Sequence, residues 1–358
     1  MSIELETESK QVQSEFCERL IGTLNAGALA LMTSIGHRTG LFDAMSLMPA
    51  STSEEVARRA GLSERYVREW LGAMVAGRVV EFDPASRRYR LPPERAAHLT
   101  RAAGADNIAV LAQYIAVLGS VEDKIVERFK HGGGLHYGCF HRFHDVMAED
   151  SGQSALSSME RAILPLVPGL VERLEHGIDV LDVGCGCGRV MNMLARRFPR
   201  SRFRGYDFCE GPIETARAEA AAHGSTNVGF DTRDAAGLDE PGAYDLITTF
   251  DAIHDQAEPA RVLANIRRAL KPGGVYLMQD IGLSSHVEKN IDHPIGALVY
   301  TISCMHCMSV SLAQGGAGLG AAWGVELAER MLREAGFTSV EIHRLAHDIQ
   351  NAYYVVRV

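Results

Sequence analysis

The sequence holds little that would suit it to a membrane, to nucleic acid or to an oxidising compartment. No run of about 18 uncharged apolar residues is evident. The longest candidate, Ile108 to Val121, is shorter and is interrupted by Gln113, so no membrane span is expected. Positive charge is not in excess: 36 Lys and Arg stand against 45 Asp and Glu, a net charge of −9. That balance argues against strong non-specific nucleic-acid binding. Cysteines are few and odd in number, seven in 358 residues, which excludes a disulfide scaffold. The first residues, MSIELETESK, carry no apolar signal core, so a cytoplasmic chain with reduced thiols is expected. Internal repeats and low-complexity stretches are also missing.

What is present is an ordinary globular composition, 46% hydrophobic and 23% charged. At roughly 100–200 residues per domain, the length fits about two domains. Three textures suggest the boundaries. Residues 1–100 are helical and end in a short strand pair. Residues 101–170 are helical with a Gly/His-rich interruption. Residues 171–358 alternate strand-like and helical runs, the pattern of a mainly parallel, helix-covered sheet.

In the first region, Thr52 and Glu55 have capping-box spacing, Ala60-Gly61-Leu62 makes a turn, and Ser63 opens a second helix to about Ala76. Val79–Phe82 and Arg88–Leu91 then read as a hairpin. Helix, turn, helix and hairpin resemble a winged helix. Residues 58–95 hold nine arginines against five acids, yet residues 1–100 sum to −1 and the second helix carries equal charge of both signs. Its Trp70, Leu71, Met74 and Val75 look like a packing face. A dimerisation and substrate-capping module is therefore preferred over a DNA reader. The apolar faces of the helices at 12–45 predict a homodimer.

The strongest motif lies at 178–188. A short apolar strand ends in Asp182-Val183, Gly184-Cys185-Gly186-Cys187-Gly188 follows at once, and a helix opens near Arg189. Glycines there let a ligand approach the backbone and the N–H groups of the next helix. Phe203–Asp207 reads as the next strand and ends in an acid able to take both hydroxyls of a ribose. A further acid, Asp234, follows Val228-Gly229-Phe230. A fourth strand runs through Phe250-Asp251, and Lys271-Pro272-Gly273-Gly274 turns into a fifth.

As a set, DVGCGCG, Asp207, Asp234, TFDAIHD and KPGG resemble the class I S-adenosylmethionine-dependent methyltransferases. The resemblance covers about 178–358. It implies an α/β, Rossmann-like seven-stranded domain whose last strand is antiparallel, behind the mainly helical winged-helix domain. It also implies S-adenosylmethionine as cofactor and S-adenosylhomocysteine as product. By the same resemblance Asp182, Gly184, Gly186 and Gly188 would flank the methionine and ribose, and Asp207, with Phe208 beside it, would hold the ribose. Asp234 and Ala235 would meet the adenine, and Phe250 and Asp251 would also bind the cofactor.

Methyl transfer to a hydroxyl or thiol gains from a base, and His254 follows the fourth strand. The winged-helix front half with an IHD segment resembles the plant-type small-molecule O-methyltransferases. In these the histidine of an HDW motif deprotonates the acceptor with support from two acids. Here Gln256 replaces the tryptophan, Asp280 matches one acid, and no carboxylate stands near Ala322-Trp323, where the second would fall. FHDVMAEDSG, IHDQ and MHCMSVSLAQGG also resemble a bacterial group often labelled regulators. The expected function is thus methyl transfer to a small-molecule acceptor, at oxygen first and nitrogen or sulfur next. The alternative is an S-adenosylmethionine-sensing winged-helix regulator.

Two stretches are candidates for the acceptor side. Residues 131–151 are rich in histidine and aromatics. Tyr137, Phe140, Phe143 and His144 either belong to a lid facing the cofactor or pack on the sheet. Cys304, His306 and Cys307 precede a glycine run at 315–320. They invite zinc, but only one such ligand pair exists. A soft, thiol-lined acceptor pocket with Trp323 as an apolar wall is preferred, and no metal is expected.

Overall fold

A computed structural model describes residues 2–358, with side chains described from residue 13 onward apart from Ser154. The chain divides into two compact units, Met1–Ala116 and Val117–Val358.

The first unit opens with a long helix, α1 (Ser2–Arg38), followed by α2 (Leu41–Ser46), α3 (Ser53–Ala60) and α4 (Glu64–Ala76). The capping box forms: Thr52 Oγ1 accepts from the Glu55 amide while the Glu55 carboxylate accepts from the Thr52 amide. Gly61 ends α3 at φ 68°, a conformation that favours glycine. Trp70, Leu71 and Met74 of α4 pack with Leu41, Phe42 and Val56, and the Trp70 indole donates to the Met32 carbonyl at 2.8 Å. The wing is the antiparallel pair β1 (Glu81–Asp83) and β2 (Arg88–Arg90).

The second unit is built on β3 (Asp179–Val183), β4 (Arg202–Asp207), β5 (Val228–Thr232), β6 (Tyr244–Phe250), β7 (Leu270–Ile281), β8 (Ser339–His343) and β9 (Asn351–Arg357). Their order in the sheet is β5-β4-β3-β6-β7-β9-β8. The β3, β4, β5, β6 and β7 neighbours pair in parallel, and β9 runs antiparallel to both β7 and β8. Side chains alternate across the sheet. Val180, Leu246, Leu277 and Val355 enter one core, with Met191, Leu194 and Ile213. Leu181, Ile247, Met278 and Val356 enter the other, with Leu263, Ile266 and Leu332. Burial on both faces explains why these strands read as near-continuous apolar runs.

The order reverses at β3, which pairs with β4 on one side and β6 on the other. The carboxyl ends of these strands therefore open onto a crevice, the usual ligand position in open α/β sheets. The helix within the 108–121 stretch is apolar but short, and the longer apolar helical window among the described residues is 296–313. It is long and apolar enough to cross a membrane, yet 44% of it is buried in the protein.

Candidate active site

After β3 the chain turns sharply through the three loop glycines, all at positive φ. A Cβ on Gly184 would lie 2.4 Å from the Ala252 Cβ, so this glycine is required for packing. Gly186, at φ 51°, has nothing within 4 Å of where a Cβ would stand, which leaves its backbone open to a ligand. Asp207, ending β4, ties the loop down. Its Oδ2 accepts from the Gly186 amide and its Oδ1 from the Cys209 amide, both at 2.9 Å. Burial raises the Asp207 pKa and these backbone donors oppose the rise.

A cleft of about 600 Å³, including its open mouth, lies over this loop. Asp182, Gly184, Gly186, Arg189, Phe250 and His144 line it, along with Met147 and Ala148. Asp182 accepts from the Thr248 hydroxyl at 2.7 Å, and burial pushes its pKa up to about 7. Gly188 lies beneath, where a Cβ would strike Phe230 and Ala216. Asp234 is exposed and caps the turn Ala235–Gly237 through the Ala236 amide. Phe208 is exposed beside the Tyr137 ring. Asp251 follows β6 at φ 50° and accepts from Gln279. Its carboxyl is held well above the usual range, by burial first and the Asp280 charge next. The open glycine cradle and the carboxylates at two adjacent strand ends fit a cofactor that carries a ribose and a cationic centre.

The second cluster sits at the ends of β6 and β7. His254 is 4% exposed and Asp280 is fully buried. The His254 Nδ1–H donates to Asp280 Oδ1 at 2.7 Å. The same oxygen accepts from the Ile281 amide at 2.8 Å and the Trp323 indole at 3.0 Å. Burial opposes the imidazolium, but the Asp280 charge and then the Cys307 thiol beside the ring outweigh it. The His254 pKa therefore lies well above 6.5. Where the resemblance calls for a second acid, the chain supplies Trp323, an indole donor bound to Asp280. Trp323 is thus not simply an apolar wall. The glycine run is held close: the Gly320 amide donates to the His254 carbonyl at 3.1 Å.

Asp255 was not singled out from the sequence, although it directly follows His254. It is buried, accepts from the Tyr137 hydroxyl at 2.6 Å, and has its pKa pushed up to about 6 by burial. Tyr137 stacks on His144 at 4.8 Å and meets the His306 ring edge-on at 4.9 Å. Phe140 and Phe143 do not share a cofactor-facing side with His144. Both pack on His306, Phe143 stacked at 3.4 Å and Phe140 edge-on at 4.6 Å. Their spacing there includes the left-handed Arg142, which opens the helix Phe143–Ser151 and turns Phe140 away from that helix's register. Cys304, His306 and Cys307 fall on a π-helical turn, Ser303–Cys307. Among the described residues no group of three His, Cys, Asp or Glu is arranged to hold a metal ion.

Comparison with known proteins agrees with this geometry. Residues 174–336 match the family described as a methyltransferase domain, and residues 27–101 match the Rv2258c-like winged HTH domain. The chain thus carries a match to a winged helix-turn-helix domain in its first part and to a methyltransferase domain over residues 174–336, and it shares the fold of solved O-methyltransferases. A putative O-methyltransferase structure from Nostoc punctiforme is 20% identical over 95% of this chain and 98% of its own, with a TM-score of 0.70. Human N-acetylserotonin methyltransferase, solved in complex with S-adenosylmethionine, is 17% identical over 95% and 97%, with a TM-score of 0.69. A ubiquinone biosynthesis O-methyltransferase of Leptothrix cholodnii is 29% identical over 107 residues, 29% of this chain and 45% of that protein. The chain spans about half the length of the curated relatives it matches.

Proposed function

We propose that this chain is an S-adenosylmethionine-dependent methyltransferase that acts on a small-molecule acceptor at oxygen, with His254 as general base. The observation that carries this is the buried His254–Asp280 pair, on strand ends adjacent to the glycine-loop cleft. Gly184, Gly186 and Gly188, with Asp182, Asp207, Phe208, Asp234, Ala235, Phe250 and Asp251, would hold the cofactor. S-adenosylmethionine supplies a methyl group already activated on a sulfonium sulfur, so the protein's part is chiefly orientation.

The remaining chemistry is proton removal. With Nδ1–H held by Asp280, Nε2 is the nitrogen left to take the acceptor proton. The buried Asp280 charge then stabilises the imidazolium that forms. Only neutral His254 accepts a proton, and its pKa is raised, so kcat/KM climbs with pH and levels off above that pKa. The test is to incubate methyl-labelled S-adenosylmethionine with wild type or His254→Ala and a small-molecule extract, then follow the label by mass spectrometry. Label in a metabolite, lost in the variant, supports both enzyme and base. Cofactor binding without transfer favours a ligand-sensing regulator.

The regulator alternative draws on the winged helix. Against it, the α4 arginines are engaged with their own helix: Arg65 pairs with Glu69 and Arg68 with Glu64. A gel shift at low salt with no sequence preference removes it. The dimer expectation gains support from exposed Phe16, Leu20, Ile21 and Leu24 on α1. Light scattering that finds a stable monomer overturns it.

A further inference from the structure

The arginine excess at 58–95 is only partly neutralised. Arg65, Arg68 and Arg90 pair with Glu69, Glu64 and Glu81. Arg58 and Arg59, both exposed in the last turn of α3, form no salt bridge among the described residues. A basic last turn suits a helix C-terminus, which accounts for their type. It does not account for a third guanidinium beside them, that of Arg88, which arrives from β2. A groove of about 840 Å³, including its open mouth, lies between α3, residues 48–51 and β2. Arg58, Arg59 and Arg88 line it with Glu55, and Met48 and Pro49 form an apolar side. Arg88 Nη1 donates to the Ala50 carbonyl at 2.8 Å and to the Glu55 carboxylate at 3.0 Å. These two bonds fix the guanidinium and leave its Nε and Nη2 without a bond among the described residues. The Thr52 amide first, and the Arg88 and Arg58 charges next, hold the Glu55 pKa below its ordinary value, so Glu55 counts as one negative charge. Three guanidiniums against one carboxylate leave two positive charges in the groove of a chain whose net charge is −9. Like charges gathered this way attract an anion, and guanidinium forks match phosphate oxygens two at a time.

We propose that this groove binds a small phosphate monoester. Its head lies among Arg58, Arg59 and Arg88, and its organic part rests on Met48 and Pro49. A monoester carries a charge of about −1.5 to −2 at neutral pH, which matches the two positive charges. A nucleic-acid backbone fits less well, because the α4 arginines that would extend the surface are already paired with acids of their own helix. The site lies wholly within the first unit and does not depend on the methyltransferase reading.

The test measures Kd by calorimetry on the full chain at low salt and pH 8. The probes are phenyl phosphate, phenyl sulfate, which has the same shape and one charge fewer, and a duplex DNA. Wild type binds phenyl phosphate about three- to tenfold more tightly than phenyl sulfate, the range of a net hydrogen bond. Arg88→Gln removes the fixed guanidinium and weakens phenyl phosphate about ten- to hundredfold, the range of a hydrogen bond to a charged group. Arg59→Gln breaks no salt bridge within the protein, so its expected loss of about three- to tenfold cannot be put down to misfolding. Arg78→Gln, outside the groove, changes nothing. Failure of phenyl phosphate to bind, equal binding of phenyl sulfate, or unchanged affinity in Arg88→Gln or Arg59→Gln overturns the proposal. Duplex DNA that these two substitutions weaken and phenyl phosphate does not displace overturns it too, in favour of the regulator. S-adenosylhomocysteine affinity stays the same in every variant, and its absence in wild type sinks the methyltransferase reading alone.

Discussion

The two halves of the sheet's carboxyl edge solve different problems. At β3 and β4 the working surface is backbone: three left-handed glycines, an open cradle at Gly186, and a carboxylate pinned by two amides. At β6 and β7 it is side chain: a buried histidine, a buried aspartate, and an indole and a thiol brought against them. Backbone recognition suits a ligand shared by many proteins, because it depends on chain direction and on missing side chains. Side-chain recognition suits an acceptor particular to one protein. The lesson is that cofactor affinity and chemistry should separate cleanly by mutation.

The widest separation is expected at His254. Its replacement by alanine should lower turnover by about 10²–10⁴-fold with cofactor Kd nearly unchanged, read by steady-state kinetics and calorimetry. A parallel loss of cofactor affinity would break the division between the halves.

Asp280→Asn comes next, with about a 10²-fold loss of turnover. It also carries a sign. Without the Asp280 charge the His254 pKa falls, so the rising limb of the kcat/KM profile should move to lower pH. An unmoved limb would mean that another group titrates.

Across the divide, Asp207→Ala removes an acceptor of two backbone amides. A hydrogen bond to a charged group contributes about 1.5–3 kcal/mol, so if the loosened loop costs cofactor binding the equivalent of one such bond, a ten- to hundredfold rise in cofactor Kd is expected. At saturating cofactor, kcat should be largely retained.

The smallest effect concerns stability. Asp182 has a folded pKa of about 7 against an ordinary carboxyl value near 4 when unfolded. Ionising it in place costs stability as pH rises from about 4 to 7, and the cost is fully present above that. Asp182→Asn should therefore raise the ligand-free Tm by a few degrees at pH 8, a gain that shrinks toward pH 4. A gain independent of pH would assign the effect to packing instead.

How far the sequence reached follows the same divide. Asp182 through Gly188, Asp207 and Asp234 were legible because a parallel strand, its glycine turn and its terminal acid are contiguous. The capped α3 was equally local, whereas the seven strands and the reversed last strand came only through the family resemblance, and the order β5-β4-β3-β6-β7-β9-β8 came from the structure. The acceptor side was harder. His254 and Asp280 were nameable from strand ends, but Asp255, although it adjoins His254 in the motif, was given no role of its own. Phe140, Phe143 and His144 looked like neighbours on one helical face, but a left-handed Arg142 separates Phe140 from the helix that carries the other two. Trp323 looked like a wall, and its N–H binds Asp280.

By itself, then, the sequence determined what depends on near neighbours: strand alternation, helix caps, the glycine loop and the acid that closes it. Contacts of this kind are set by backbone geometry and by residues a few positions apart. Only the tertiary structure decided which distant side chains share one buried volume. His306 meets residues near 140, and Asp280 meets residues 254 and 323, because the sheet order and a π-helical turn bring them there. Burial then sets their charge states and hydrogen-bond demands, and burial is a property of the packed whole.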